Sequence, residues 1–337
     1  MTWILISLIY NTTLTLFFFL LAFLMFFIGM KGYKSNNKYG ASSTIICGGF
    51  LLIFGYMNSL DGFLPYPYNG FLIWWIGILT GVFLGFGLYI MRIKKKIAHN
   101  KIEDKKSKFI QYIINSTENS TNPYIEKISI KMEIFRKSFH LTGILIIYPY
   151  TYGDFQATID LTLFALIAAY TFMIIPDLIR VLWGAEYSFF HLLTRAVLRK
   201  KEYNAVGPQI YLVTGVIFSY LLYMVGLVHI LAFLAGVLIA CFSDALAALV
   251  GRSIGKRKIK CLGNQIKTLE GFIAGVGSAY IIGFFIVGPI YAIFGAIIFF
   301  ILDYFPTLIA DNILNPIIIT IVIQIAFFFL GLHIGLI

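Results

Sequence analysis

"HILAFLAGVLIACFSDALAALVGRSIGK", residues 229–256, decides the fold. From Ile230 to Ser243 no side chain is charged. Asp244 then appears, followed by small and apolar residues, and the stretch closes in glycine, arginine and lysine. At 1.5 Å per residue a helix over 229–250 is about 33 Å long, enough to cross a hydrocarbon core of about 30 Å. A carboxylate inside such a run is costly, and ionisable residues at membrane depth usually mark function. Counting from Asp244, residues Ala248, Gly251 and Gly255 follow at i+4, i+7 and i+11, so they share one helix face. Small residues on that face admit the close approach of another helix or of a ligand.

The remainder of the chain repeats the apolar theme. Its 337 residues are 60% hydrophobic and 12% charged, where a soluble domain carries about 25% charge. Ten apolar stretches are long enough to be read as spans: 3–30, 41–60, 70–91, 138–153, 160–176, 207–226, 229–250, 270–287, 289–302 and 313–336. The fold class expected is therefore all-α, a polytopic integral membrane protein with about ten transmembrane helices. No Lys or Arg precedes Lys31, and the first run is far longer than a signal core, so it reads as a span rather than a cleaved leader. Cys47, Cys241 and Cys261 lie far apart and form neither a zinc motif nor a disulfide framework. The polar stretch 92–131 divides the chain into an N-terminal three-helix unit (1–91), a basic linker (92–131) and a membrane core (132–337).

Charge fixes an orientation. With the N-terminus outside, the cytoplasmic segments are 31–40, 92–137, 177–206, 251–269 and 303–312, and they hold all 26 Lys and Arg. Asp61, Asp154 and Asp160 fall on the other side. The positive-inside rule predicts this distribution, so the net charge of +11 describes a membrane face and does not point to nucleic acid. The segment 180–201 carries Trp183, Phe189 and Phe190 with Arg195, Arg199, Lys200 and Lys201, and reads as an amphipathic helix along that face.

The ionisable residues of the core gather at the same face. Arg136, Lys137 and His140 enter the fourth span, and Asp177 and Arg180 leave the fifth. Asp244 lies in the seventh, Lys267 and Glu270 open the eighth, and Asp303 and Asp311 flank the last loop. Arg252, Lys256, Lys258 and then Lys267 follow Asp244 in the chain. A carboxylate beside several cations suits a metal-bound polyphosphate, with the carboxylate on Mg²⁺ and the cations on phosphate oxygens. "GRSIGK" (251–256) is not a P-loop, which needs four residues between its glycines and Ser or Thr after its lysine.

The longer run "DALAALVGRSIGKRKIKCLGNQIKTLEGFIAG" (244–275) resembles the nucleotide-binding segment of the CTP-dependent polyprenol kinases. That family includes dolichol kinase, phytol kinase and the yeast-type CTP-dependent diacylglycerol kinase. Its pattern, D-x-x-A-x-x-x-G-x-x-x-G, a basic loop and K-T-x-E-G, is met by Asp244, Ala247, Gly251, Gly255, Lys267, Thr268, Glu270 and Gly271. "RKSFHLTG" (136–143), "PDLIR" (176–180) and "DNILNP" (311–316) are similar to flanking family segments, so the resemblance covers 132–320. Phosphatidate cytidylyltransferases are more distantly similar. Their C-terminal Pro-Gly-His-Gly-Gly signature is replaced here by "DYFPTLIADNILNP" (303–316), which favours the kinase branch.

The resemblance implies an enzyme that phosphorylates a membrane-embedded isoprenoid alcohol, dolichol or polyprenol, with CTP as donor and Mg²⁺ as cofactor. Among its residues Asp244, Lys267, His140 and Asp311 are the expected catalytic set, and Asp244 and Asp311 the expected metal ligands. The nucleotide is expected on Gly251, Arg252, Gly255, Lys256, Lys258, Lys267, Thr268, Glu270, Gly271, Arg136, Lys137 and Asn312. Asp244, Asp311 and His140 all remain candidates for taking the hydroxyl proton. The expected setting is a multi-pass protein of the cell membrane, or of the endoplasmic reticulum in a eukaryote, in contact with membrane lipids and with its site on the cytoplasmic face. The rival readings are CDP-lipid synthesis from phosphatidate, a kinase of phytol, geranylgeraniol or diacylglycerol, and a transporter of an anionic solute.

Overall fold

A computed structural model describes residues 2–100, 134, 137, 138, 140, 155–190, 204–261, 266–305 and 307–331. Its helices are α1 (Thr2–Lys34), α2 (Lys38–Asp61), α3 (Tyr68–Asn100), α4 (Phe155–Trp183), α5 (Pro208–Met224), α6 (Ile230–Leu238), α7 (Asp244–Ser253), α8 (Leu269–Val287), α9 (Pro289–Tyr304) and α10 (Asp311–Leu330). A π-helical turn, Ile239–Ser243, joins α6 to α7. Among the described residues seven helical stretches are long and apolar enough to cross a membrane, and α5 and α9 are shorter apolar helices. The chain is thus an all-α multi-pass membrane protein. Nine of the ten expected stretches coincide with these helices, while most of 138–153 lies outside the described residues.

Two details depart from the sequence reading. The segment 180–190 is not a continuous amphipathic helix. α4 ends at Trp183, Gly184 takes φ 126°, and a single 3₁₀ turn covers Ala185–Tyr187. A left-handed φ at glycine closes a helix at little steric cost. The rest of that segment, 191–201, lies outside the described residues. The second departure is a two-stranded antiparallel hairpin within the basic loop, β1 (Lys258–Lys260) against β2 (Ile266–Thr268).

The chain folds as two compact units, residues 1–128 with 164–210 and residues 129–163 with 211–337. In the first, α1 and α2 form a hairpin whose polar end is held by amides. Asn58 donates to the Asn11 carbonyl (3.1 Å) and to Thr15 Oγ1 (2.9 Å), and Asn69 donates to Ser7 Oγ (3.0 Å). Asn58 and Asn69 are buried, and buried polar groups need protein partners. α3 continues through Asn100, making the charged start of the polar stretch helical. Its Lys94 reaches Glu186 at 3.3 Å.

In the second unit α6 and α10 run antiparallel. The His229 N–H donates to Gln324 Oε1 at 2.8 Å, and a Cβ on Gly236 would meet the Thr320 backbone at 2.7 Å. α8 and α9 form a second antiparallel pair turned by Gly288 at φ 85°. The register of α6 on α10 sets the level of the charged residues. Counting equal rises from the Gly236–Thr320 approach carries Asp244 to the level of Asp311 and Asn312, both at one end of the unit.

Candidate active site

Asp244 is the first residue of α7, set there by the π-helical turn that ends at Ser243. π turns occur often at functional sites because the extra residue re-aims the side chains beyond it. Lys137 Nζ donates to Asp244 Oδ2, and His140 Nδ1 lies 3.8 Å from the same oxygen. The Lys137 and His140 side chains are each 6% exposed and Asp244 is 18% exposed, so this is a buried charge cluster with one partly open member.

Lys267 stands in β2 opposite Ile259. Its ammonium donates to Asp303 Oδ1 at 2.6 Å and to the Asp303 main-chain carbonyl. Asp303 sits in the last turn of α9. Asp311 opens α10, its Oδ1 accepting the Asn312 N–H at 3.0 Å. Asp244 of α7 is thus paired with a lysine from the segment before α4, and Asp303 of α9 with a lysine from the hairpin, while Asp311 is exposed at the start of α10.

The expected nucleotide residues divide by place. Thr268 caps α8, its hydroxyl accepting the Gly271 N–H at 3.4 Å. A Cβ on Gly271 would lie 2.6 Å from the Ala247 carbonyl oxygen and 2.8 Å from Gly251 Cα, so Gly251 and Gly271 form the crossing of α7 and α8. Gly255 packs against the Gly251 carbonyl and Thr268. Glu270 accepts the backbone N–H groups of Lys256 (3.1 Å) and Arg257 (3.2 Å), which pins the entry to the hairpin. These five residues build the frame that presents Lys267. Lys256 and Lys258 are at the surface, Arg252 and Asn312 are half-buried, and Arg136 lies outside the described residues.

Asp177 and Arg180 belong to the first unit and serve a different purpose. Arg180 Nε donates to Asp177 Oδ1 (2.6 Å), Arg180 Nη2 donates to the Ala205 carbonyl (2.6 Å), and Asp177 Oδ2 accepts the Gly207 N–H (2.8 Å). Both side chains are almost fully buried. A buried pair with its valences filled this way tethers α4 to the chain ahead of α5 and leaves little for a substrate.

In the sequence Asp303 reads only as flanking a loop, with no role of its own. The signal that singles out Asp244, a lone carboxylate in an apolar helix, is equally present in "FFILDYF" (299–305).

Fold and site together define a multi-pass membrane protein with a carboxylate–lysine centre at one end of its helices. Over 145 residues the chain is 33% identical to CTP-dependent diacylglycerol kinase 1 of Saccharomyces cerevisiae. That alignment takes in 43% of this chain and 47% of the yeast protein, so it spans about half the length of the curated relative. No family model matches the chain. No solved structure matches it either.

Proposed function

We propose that this chain is a CTP-dependent lipid-alcohol kinase with an isoprenoid alcohol, dolichol or polyprenol, as its substrate. The observation that carries the reading is the pair of carboxylate–lysine contacts, Asp244 with Lys137 and Asp303 with Lys267, with Asp311 level with Asp244 at the same end of the unit. The yeast relative's name adds support for CTP and a lipid acceptor, and it favours diacylglycerol as the second substrate reading.

Phosphoryl transfer asks the protein chiefly to position the reactants and neutralise charge. Each of the two lysines has a carboxylate partner. A triphosphate arriving beside them offers the lysines richer anions, and Lys267 and Lys137 turn to its oxygens. Among the described residues no three acidic, histidine or cysteine side chains converge as a ready-made metal cage, and a magnesium ion commonly needs only one or two carboxylates plus phosphate oxygens and water. Asp244 and Asp311, level with each other, would hold it, and when bound it supplies neutralisation of the charge that develops on the phosphates. The γ-phosphorus loses its bond to the β,γ-bridging oxygen and gains one to the lipid oxygen. CDP departs, and the hydroxyl proton passes to Asp244, Asp311 or His140. The site faces the cytoplasm in this reading, on the side that carries the basic segments.

The test is the fate of label. With CTP labelled at the γ-phosphate and a panel of dolichol, geranylgeraniol, phytol and diacylglycerol, label should enter the lipid alcohol and CDP should be released. Label entering lipid from the α-phosphate, with pyrophosphate released, would instead establish cytidylyl transfer. Cysteines introduced at Lys256 and Asp61 should react from the cytoplasmic and outer faces respectively, and the reverse pattern would remove the site from the side where CTP is found.

A further inference from the structure

We infer that Ser243 and Asn315 form the seat for the acceptor hydroxyl, an inference that rests on the lipid-alcohol kinase reading. Ser243 is fully buried and Asn315 is 5% exposed, yet among the described residues Ser243 Oγ and Asn315 Oδ1 have no hydrogen-bond partner. Buried polar groups are nearly always satisfied, and an orphan inside a membrane span is costly enough to call for an explanation.

Their placement supplies it. Ser243 is the last residue of the π-helical turn and immediately precedes Asp244. Asn315 follows Asp311 at i+4 and so shares its face of α10, about 6 Å further into the span. α10 packs directly on the π-helical turn. Both orphans thus stand on the bilayer side of the carboxylates, where a lipid head group arrives with its tail still in the membrane.

The chemistry of the pair is complementary. A serine hydroxyl can donate, and an amide oxygen can only accept. A group that accepts one hydrogen bond and donates one satisfies both at once, which describes an alcohol. The Ser243 O–H donates to the lipid oxygen, and the lipid O–H donates to Asn315 Oδ1. Neither side chain is basic enough to take the proton, which leaves to the adjacent carboxylates or to His140. The pair holds the lipid oxygen just to the bilayer side of Asp244, with a lone pair free for the phosphorus. A site built to hydrogen-bond a hydroxyl rejects the analogue that lacks it far more strongly than an apolar pocket rejects an added hydroxyl.

Binding without nucleotide tests the seat separately from the chemistry. The full chain in nanodiscs would be titrated with dioctanoylglycerol and its 3-deoxy analogue, and with geranylgeraniol and the corresponding hydrocarbon. The wild type should bind at least one alcohol about ten-fold or more tighter than its deoxy partner. Asn315→Leu and Ser243→Ala should bring that ratio close to one. Asn315→Leu removes an unpaired buried polar atom, so its thermal midpoint should equal or exceed that of the wild type. This guards against loss of binding through misfolding. Equal binding of alcohol and deoxy analogue by the wild type, or discrimination retained in both variants, would overturn the seat. Hydroxyl discrimination without phosphoryl transfer from CTP would refute the kinase reading and leave the seat standing. Transfer without discrimination would do the opposite.

Discussion

Replacing Asp244 with asparagine separates what this carboxylate does for the fold from what it does for chemistry. The side chain keeps its size, but Lys137, 6% exposed, loses its counter-ion. Removing one partner of a buried pair typically costs about 3–5 kcal/mol, because the remaining charge is left uncompensated in a low-dielectric site. Asp244 is itself 18% exposed, so some water reaches the pair and the lower end of that range is expected. Asp244→Asn should therefore be inactive and also measurably less stable. The double variant Asp244→Asn/Lys137→Met removes both charges and should recover most of the lost stability while remaining inactive. Cys47, Cys241 and Cys261 are all buried thiols, so a thiol-reactive dye added during heating reports unfolding directly. An Asp244→Asn midpoint equal to that of the wild type would show that Lys137 does not depend on this carboxylate. Activity in the double variant would show that Asp244 acts only as a counter-ion.

Other substitutions test the frame. Gly271→Ala places a Cβ against the Ala247 carbonyl and Gly251 Cα, neither of which can step aside, and should destabilise the protein by about 1–3 kcal/mol in a melting experiment. Lys267→Ala should lower γ-phosphoryl transfer by about 10²–10³-fold, the usual loss on removing one preorganised charge-stabilising group. Asp303→Asn should cost less, because it loosens Lys267 without removing the cation, and equal losses in the two would show that Asp303 itself meets the substrate. His229 caps α6 through Nδ1, which accepts the Leu231 N–H at 3.2 Å, and partial burial holds its pKa below the usual histidine value of 6.5. The unfolded chain then binds a proton that the folded chain resists, so stability should be full above pH 6.5 and fall as the pH drops below it. His229→Asn, which keeps a capping acceptor, should flatten that decline below pH 6.5, and an unchanged slope would exclude His229 as its source.

The helices were legible because a bilayer leaves few alternatives. An apolar run of twenty residues must satisfy its own backbone, and the helix is the only way for a single segment to do so. Asp244 and Lys267 were legible for the converse reason, since charge in such surroundings stands out. The hairpin could not be read from "KIKCLGNQIKT" (258–268), because strands of three residues owe their existence to pairing and not to any period in the sequence. The π-helical turn was equally invisible. "IACFS" (239–243) has the composition of an ordinary helix, and only packing against α8 and α10 decides that it holds an extra residue per turn. Glycines presented a different difficulty. A small residue admits a ligand or a helix with equal ease, and the structure brings Gly251 against Gly271.

The antiparallel pairing of α6 with α10 has a consequence for biosynthesis. His229 and Gln324 are 95 residues apart, and the carboxylates that this pairing aligns are supplied by two helices separated by the hairpin, α8 and α9. Chains emerge from the ribosome amino-terminus first. While α6 to α9 enter the bilayer, Asp244 has no Asp311 beside it, whatever the state of the remainder. The centre is completed only once α10 has been made, so a polypeptide interrupted before it would enter the membrane without Asp311.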